Sequence, residues 1–294
     1  MLARILPPLR VHCWGGLGSQ LFAWALIEEI KNKYPKRRVK LILHQSGVTK
    51  RIAEIAEFFP GEFSIREDFN AQDSLIVNQP ALEFLALSKD LVKTMFVKFL
   101  TMIGALCTCD SDTNLKSLRI WTIQIRGHYS YRKISKEVIE SMNSRAELVG
   151  KCFLEVSDIL NSDIAIQYRL GDLLSLDKKS PVNPSRIAKL IVSVETFQPV
   201  KKLVVFSDSL DVALHRLSPF AKKIEGRNTS AWNTLRELQN FRYFIATNSK
   251  ISVWAILIRV YFSPNLKNFA PVEFRDQLES NLYPKSVAEH IEYY

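Results

Sequence analysis

The chain has 294 residues, 47% hydrophobic and 24% charged, with 40 Lys and Arg against 30 Asp and Glu for a formal charge of +10. That is the make-up of a globular protein with a substantial core in one large or two ordinary domains, and its basic excess favours an anionic partner: a nucleotide, a nucleic acid or an acidic membrane face. Four cysteines, Cys13, Cys107, Cys109 and Cys152, form neither a zinc-type pair of pairs nor a disulfide framework, and the longest apolar runs, Phe99–Cys109 and Ile251–Ile258, fall short of the roughly 20 residues a membrane span needs.

Met1–Arg10 holds two prolines and no apolar core of signal length, so the simplest expectation is a reduced, cytoplasmic protein. Arg10–Trp14 reads as a strand running into Gly15-Gly16-Leu17-Gly18-Ser19-Gln20. A helix is expected over Leu21–Tyr34, with Leu21, Phe22, Ala25, Leu26 and Ile30 on one face and Ser19 as its N-cap. Strand, glycine turn and helix together form a geometry that receives an anion. The glycine spacing matches neither the dinucleotide fingerprint nor a P-loop, and a tight turn without a ligand explains it equally well.

Val39–Leu43 and Phe63–Arg66 read as strands on either side of a helix over Val48–Phe59, the rhythm of βαβ units. Ala81–Ile103 reads as a long helix with Leu85, Val92, Met95, Phe96, Phe99 and Ile103 apolar and Lys89, Lys93 and Lys98 basic. Such a helix suits an anionic membrane face, and a packed surface helix with solvated lysines is the commoner alternative. A strand at Arg119–Ile125 precedes Arg126-Gly127-His128-Tyr129-Ser130-Tyr131, then a helix at Ile134–Phe153.

The second half, from about residue 156, opens with Ile164–Leu174, Ile-Ala-Ile-Gln-Tyr-Arg-Leu-Gly-Asp-Leu-Leu. The first part reads as a buried strand of a parallel sheet. The second part delivers Arg169, Gly171 and Asp172 to the carboxyl end, where open α/β sheets bind ligands. A guanidinium there can clamp a phosphate through two parallel hydrogen bonds, or simply pair with Asp172 to fix a turn. Pro184–Val194 reads as a helix, and Leu203–Phe206 as a strand ending in Ser207-Asp208-Ser209. These polar groups suit a ribose or base, and equally an N-cap for a helix at Leu210–Leu217. A helix at Thr229–Asn240 and a strand at Tyr243–Ala246 lead to Thr247-Asn248-Ser249-Lys250-Ile251-Ser252-Val253-Trp254, which turns into an apolar helix to Tyr261, again an anion-receptive start.

Five motifs in this order resemble those of the α-1,2-fucosyltransferases, glycosyltransferase family 11. Trp14–Phe22 is similar to its Gly-Gly-Leu-Gly-Asn-Gln-Leu/Met-Phe opening, Arg126–Lys133 to its Gly-Tyr-Trp/Phe-Gln-Ser segment and Gln167–Asp172 to His-x-Arg-Arg-Gly-Asp. Phe206–Ser209 is similar to Phe-Ser-Asp-Asp, and Asn248–Trp254 to Asn-Ser-x-x-Ser-Trp-Trp. Gln167, Leu170, Ser19, Ser209 and Val253 stand where the family has His, Arg, Asn, Asp and Trp.

The resemblance implies an α/β protein of GT-B type. Two Rossmann-like domains, 1–155 on the acceptor side and 156–294 on the donor side, would face a central cleft. It implies inverting transfer of L-fucose from GDP-fucose to a glycan hydroxyl in surface polysaccharide synthesis, with no metal and no cofactor beyond the nucleotide sugar. Arg169 would stabilise the departing diphosphate, and Asp172 is a candidate base by position. Gly15, Gly16, Gly18, Ser19, Gln20, Gln167, Ser207, Asp208, Asn248, Ser249 and Ser252 would line the donor. His12, His128 and Tyr129 would lie towards the acceptor. A lipid-linked acceptor would bring the enzyme to the inner membrane face through 81–103. The rival readings are transfer of another sugar from another nucleotide, and a non-catalytic nucleotide- or glycan-binding homologue. A nucleic-acid-binding protein ranks last, since no nucleic-acid module is recognisable.

Overall fold

In a computed structural model of the chain, residues 6–44, 52–66, 95, 99–108, 116, 118–154, 161–174, 181–197 and 202–294 are described. The chain divides into two units, Met1–Gly150 and Lys151–Tyr294, and each carries its own parallel sheet with interleaved helices.

The first unit holds β1 (Leu9–Trp14), β2 (Val39–His44), β3 (Phe63–Arg66), β4 (Leu106–Thr108) and β5 (Gln124–Arg126), in the order β3-β2-β1-β5-β4. All its pairings are parallel. β1 is buried along most of its length, the pattern of a strand covered on both faces. Helix α1 (Leu17–Lys33) packs on α2 (Lys136–Glu147), and a buried carboxylate fixes the contact. Glu28 accepts from Trp24 Nε1 at 2.9 Å and Ser141 Oγ at 3.0 Å, and lies 3.3 Å from Arg145 Nε. With these partners its burial is supported rather than penalised. The Trp24 indole stacks on Phe58 with ring centroids 4.6 Å apart.

Four expected elements differ. The helix expected over Ile134–Phe153 spans Lys136–Glu147. No helix covers 52–59; a turn leads to a short 3₁₀ segment, Ala56–Phe58. The backbone groups a helix would need there are taken by Gln20, as described below. β5 begins at Gln124 rather than Arg119, because Thr122 folds back, accepting the Arg119 N–H on Oγ1 at 3.1 Å. Of the helix expected over Ala81–Ile103, residues 95 and 99–102 are helical. Ile103 lies in a turn, and the remaining residues, with Lys89, Lys93 and Lys98, lie outside the described residues. Strand β4 was not expected.

The second unit holds β6 (Asn161–Gln167), β7 (Leu203–Phe206), β8 (Ile224–Arg227), β9 (Phe241–Ile245), β10 (Lys267–Ala270) and β11 (Ile291–Tyr293). Helices α3 (Pro184–Phe197), α4 (Leu210–Leu217), α5 (Ala231–Glu237), α6 (Lys250–Phe262) and α7 (Arg275–Asn281) connect them. The order is β11-β10-β9-β6-β7-β8, all parallel. Numbered within the unit, that is 3-2-1-4-5-6 from one edge, the order of the doubly wound nucleotide-binding sheet. The chain reverses direction across the sheet between β6 and β9, so their carboxyl ends flank the switch point where such sheets bind ligands. Ile164, Ile166, Leu203, Val205, Tyr243 and Ile245 build one core face with α3 and α4.

α6 carries a cation into the interior. The Arg259 side chain is fully buried and donates to Asn268 Oδ1 (2.6 Å) and to the carbonyls of Leu238 (2.6 Å), Phe241 (2.7 Å), Lys267 (3.2 Å) and Arg242 (3.4 Å). Burial pushes its pKa down to about 9, which leaves it charged at neutral pH. Five directed donors let one guanidinium tie the chain before β9 to the start of β10. Among the described residues no helix is long and apolar enough to cross a membrane.

Candidate functional site

In the second unit the residues singled out by sequence gather at the carboxyl ends of β6, β7 and β9. Thr247, which the sequence places only as the first of the polar residues ahead of α6, joins two of these ends. Its fully buried hydroxyl donates to the Gln167 carbonyl at 2.6 Å and accepts the Arg169 N–H at 3.1 Å. Ser252 Oγ donates to Gln167 Oε1 at 2.7 Å and accepts the Thr247 N–H at 3.4 Å. The β6 and β9 ends are thus laced together by side chains rather than by the ladder, which has already ended.

Asp208 closes the third side. Its Oδ1 accepts the N–H groups of Leu170 at 2.9 Å and Gly171 at 3.0 Å. A Cβ on Gly171 would sit 2.4 Å from Asp208 Oδ2 and 2.9 Å from its Cγ, so glycine here is a matter of close approach. Asp208 therefore does not cap α4. Ser209 is the N-cap without a side-chain bond, and its N–H donates to Ser207 Oγ at 3.1 Å.

These contacts correct one expected role. Ser252 is fully buried and Gln167 nearly so. The Ser252 hydroxyl is engaged on both sides, so it builds the wall of the site and does not face a ligand, and Gln167 joins that wall through Oε1. Ser249 is the N-cap of α6, accepting the Ile251 N–H at 3.2 Å and keeping its own hydroxyl proton to donate. Arg169 and Asn248 are half-buried and Asp208 is exposed. The first turn of α6 contains Lys250 and no acid, the reverse of what the helix dipole prefers unless an anion is present. Asp172 lies in the 3₁₀ turn Gly171–Leu174; its side chain is outside the described residues.

In the first unit β1 runs into Gly15, at φ +89°, where a Cβ would lie 2.9 Å from Ser19 Oγ. Gly16, with open space at its Cβ position, is the N-cap. Ser19 is therefore not the cap. The helix starts at Leu17, whose side chain is buried, and Ser19 and Gly18 sit in its first turn, with the Ser19 N–H on the Gly16 carbonyl at 2.9 Å.

Gln20 is not a donor contact either. Its buried amide donates to the carbonyls of Gly15 (3.1 Å) and Ile52 (2.7 Å) and accepts the N–H groups of Glu54 (3.0 Å) and Ile55 (3.3 Å). Two donors and two lone pairs are the whole capacity of a carboxamide. Gln20 thus staples 52–55 to the glycine turn.

The expected acceptor-side residues separate. His12 is fully buried, with Nδ1 2.7 Å from Nε2 of His44 at the end of β2. Trp14 stacks on His44 with centroids 4.5 Å apart and planes 14° off parallel. The two facing nitrogens share one hydrogen, so both rings cannot be imidazolium while the bond lasts. Tyr129, at φ +60°, is buried and donates its hydroxyl to the carbonyls of His12 and Ile125 (3.2 Å), pegging the loop after β5 to β1. His12 and Tyr129 are thus internal, and His128 is the half-buried residue of that loop. The partner His44 carried no sequence signal; only the parallel register, His12 with Ile42 and Trp14 with His44, brings it there.

No protein-family model and no curated protein matches the chain. Among solved structures, the E. coli heptosyltransferase WaaC with ADP is similar at a TM-score of 0.43 and 9% identity, covering 97% of this chain and 92% of that one. A UDP-N-acetylglucosamine 2-epimerase of Listeria monocytogenes has a TM-score of 0.44 at 8% identity, over 93% of this chain and 82% of that one. NodZ alpha-1,6-fucosyltransferase soaked with GDP-fucose has a TM-score of 0.37 at 12% identity, over 86% of this chain and 93% of that one.

Proposed function

We propose that the protein is an inverting glycosyltransferase of GT-B type that takes a nucleoside-diphosphate sugar on its second unit. The finer reading is transfer of L-fucose from GDP-fucose to a glycan hydroxyl, as in the α-1,2-fucosyltransferases. The observation that carries it is the grouping of Arg169, Asp208 and the Ser249-capped start of α6 at three strand ends around the switch point of a 3-2-1-4-5-6 sheet. A diphosphate would lie between the Arg169 guanidinium and the α6 N-terminus, where the Ser249 hydroxyl adds a donor. Asp208 would accept hydrogen bonds from the nucleoside. The acceptor oxygen attacks the anomeric carbon, the bond to phosphate breaks, and the electron pair leaves on the diphosphate, where Arg169 meets the growing charge. The hydroxyl proton goes to a base, for which Asp172 is the candidate by its place in the motif.

The test is thermal shift and calorimetric titration with GDP, UDP and dTDP, on wild type and on Arg169→Ala and Arg169→Lys. Binding of one diphosphate, weakened about ten- to a hundredfold by Arg169→Ala and only partly restored by lysine, is the expected result. Equal affinity in wild type and Arg169→Ala would remove Arg169 from the donor site. Tight GDP binding without transfer from GDP-fucose to any glycan would favour a non-catalytic binding protein.

A further inference from the structure

We propose that Tyr294, which follows β11, is a positioning residue of the donor site: its hydroxyl fixes the peptide that aims Thr247 and, through Thr247, the main chain of Arg169. The inference rests on the donor-site reading above and adds to it a residue that the strand-end motifs do not contain.

β11 lies two strands from β9, about 10 Å at the spacing of hydrogen-bonded strands, so no main-chain bond from β11 reaches the β9 end. A long side chain does. Tyr294 Oη donates to the Ala246 carbonyl at 2.7 Å. Ala246 is the first residue past β9 and fully buried, and its own N–H donates to the Phe269 carbonyl on β10 at 2.8 Å. The Ala246 carbonyl and the Thr247 N–H belong to one peptide unit, which is planar and stiff. Its other polar end is held too, since the Thr247 N–H donates to Ser252 Oγ at 3.4 Å. The plane is thus gripped by a side chain from beyond β11 and by one from α6. The Thr247 hydroxyl, which bonds the Gln167 carbonyl and the Arg169 N–H, is carried by the next Cα. A rotation of the plane would swing it away from both.

Tyr294 is itself clasped. Its N–H donates to the Ala270 carbonyl at 3.0 Å, and its main-chain oxygen accepts from the Val272 N–H at 2.9 Å and from Arg186 Nη2 at 2.5 Å. The Arg186 guanidinium lies 5.3 Å from the centre of the Tyr294 ring, within cation–π range. Glu273 holds that guanidinium in turn, with oxygens 2.7 and 3.3 Å from Nη1 and Nη2. The hydroxyl is therefore presented to Ala246 in one place, which is what support of a binding group requires. A ring that only filled space beside α3 would do so equally well without the hydroxyl.

The experiment is amide hydrogen exchange by NMR, together with titration of GDP, UDP and dTDP, on wild type and Tyr294→Phe, with thermal unfolding to show that each variant is folded. Tyr294→Phe keeps the ring and removes only the hydroxyl. Its Arg169 N–H is expected to exchange at least about tenfold faster than in wild type. The Leu170 and Gly171 N–H groups, held from the β7 side by Asp208, should keep their rates. Whichever diphosphate binds wild type should bind Tyr294→Phe at least about threefold more weakly. In a Thr247→Val background the same change should cost less than about twofold, because the group it acts through is already gone. A wild type that binds none of the three would sink the donor-site reading, whereas the exchange arm needs no nucleotide and judges the brace by itself. Unchanged exchange at Arg169, equal acceleration at Arg169, Leu170 and Gly171, or wild-type affinity in Tyr294→Phe would overturn the proposal and leave Tyr294 a packing residue.

Discussion

Thr247 offers the sharpest test of how the candidate site is held. Thr247→Val keeps the shape and removes the hydroxyl. The Gln167 carbonyl then loses its 2.6 Å partner and the Arg169 N–H its 3.1 Å partner, at a position with no solvent access. Each buried backbone group left without a partner costs about 1–3 kcal/mol, so the loss of two should total roughly 2–6 kcal/mol. For a chain of this size that corresponds to a drop in Tm of roughly 5–15 °C. Thr247→Ser keeps both bonds, loses one methyl group and should cost only about 1 kcal/mol. Thermal unfolding by circular dichroism gives both numbers. The same pair of variants should separate in nucleotide titration, Val weakening the diphosphate because the Arg169 backbone is no longer fixed, and Ser leaving it near wild type. A Val variant melting within about 2 °C of wild type, or a Ser variant less stable than Val, would mean that the hydroxyl does not hold the strand ends together.

Gly171→Ala should displace Asp208 and destabilise the fold, and in an Asp208→Ala background its cost should shrink by at least about 1 kcal/mol, measured as a double-mutant cycle; strict additivity would refute the close approach. Arg259→Leu should cost roughly 3–5 kcal/mol in denaturant unfolding because several carbonyls lose their donor, with Arg259→Lys intermediate. Leu170→Arg, which restores the arginine of the family motif, should lower Tm rather than improve binding, since Leu170 is fully buried in the core. Tyr294 donates its hydroxyl to the Ala246 carbonyl at 2.7 Å, and burial raises its pKa above the ordinary tyrosine value. Above about pH 10 the unfolded chain therefore releases from Tyr294 a proton the folded chain keeps, and the contribution of this group to stability falls as pH rises, opposed by Arg259, whose lowered pKa acts with the other sign. Tyr294→Phe should flatten that fall but not abolish it, since Tyr293 is likewise raised, to about 12.

Much of the second sheet was legible because its strands are short apolar runs between polar breaks: Leu203–Phe206 appears as β7 and Leu210–Leu217 as α4. β8, Ile-Glu-Gly-Arg, was not, because its residues are all half-buried and carry two charges. β10, β11 and α7 were missed in a stretch read only as the end of the chain. In the first unit 48–59 reads as a helix, but the Gln20 carboxamide takes the Ile52 carbonyl and the Glu54 and Ile55 N–H groups, a tertiary competitor that local pattern does not reveal. Likewise the sequence names polar residues near a strand end without saying which way they turn. Arg169, Asn248 and Asp208 retain exposure, whereas Gln20, Ser252, His12 and Tyr129 turn inward to bond the frame.

That division bears on the departures from the fucosyltransferase motifs. Gln167 stands in place of His, yet its side chain is buried against Ser252. Leu170 stands in place of Arg, and it is a core residue. Val253 stands in place of Trp, fully buried in α6. These three fall on side chains that form the wall behind the strand ends, whereas Ser19 and Ser209, in place of Asn and Asp, are half-buried. Arg169, Asn248 and Asp208, which keep exposure and could meet a phosphate or a nucleoside, are among the residues that match the motifs, as is Ser249 at the head of α6. On the proposed reading, the departures at Gln167 and Leu170 therefore bear on the wall of the site rather than on the groups that would meet the diphosphate.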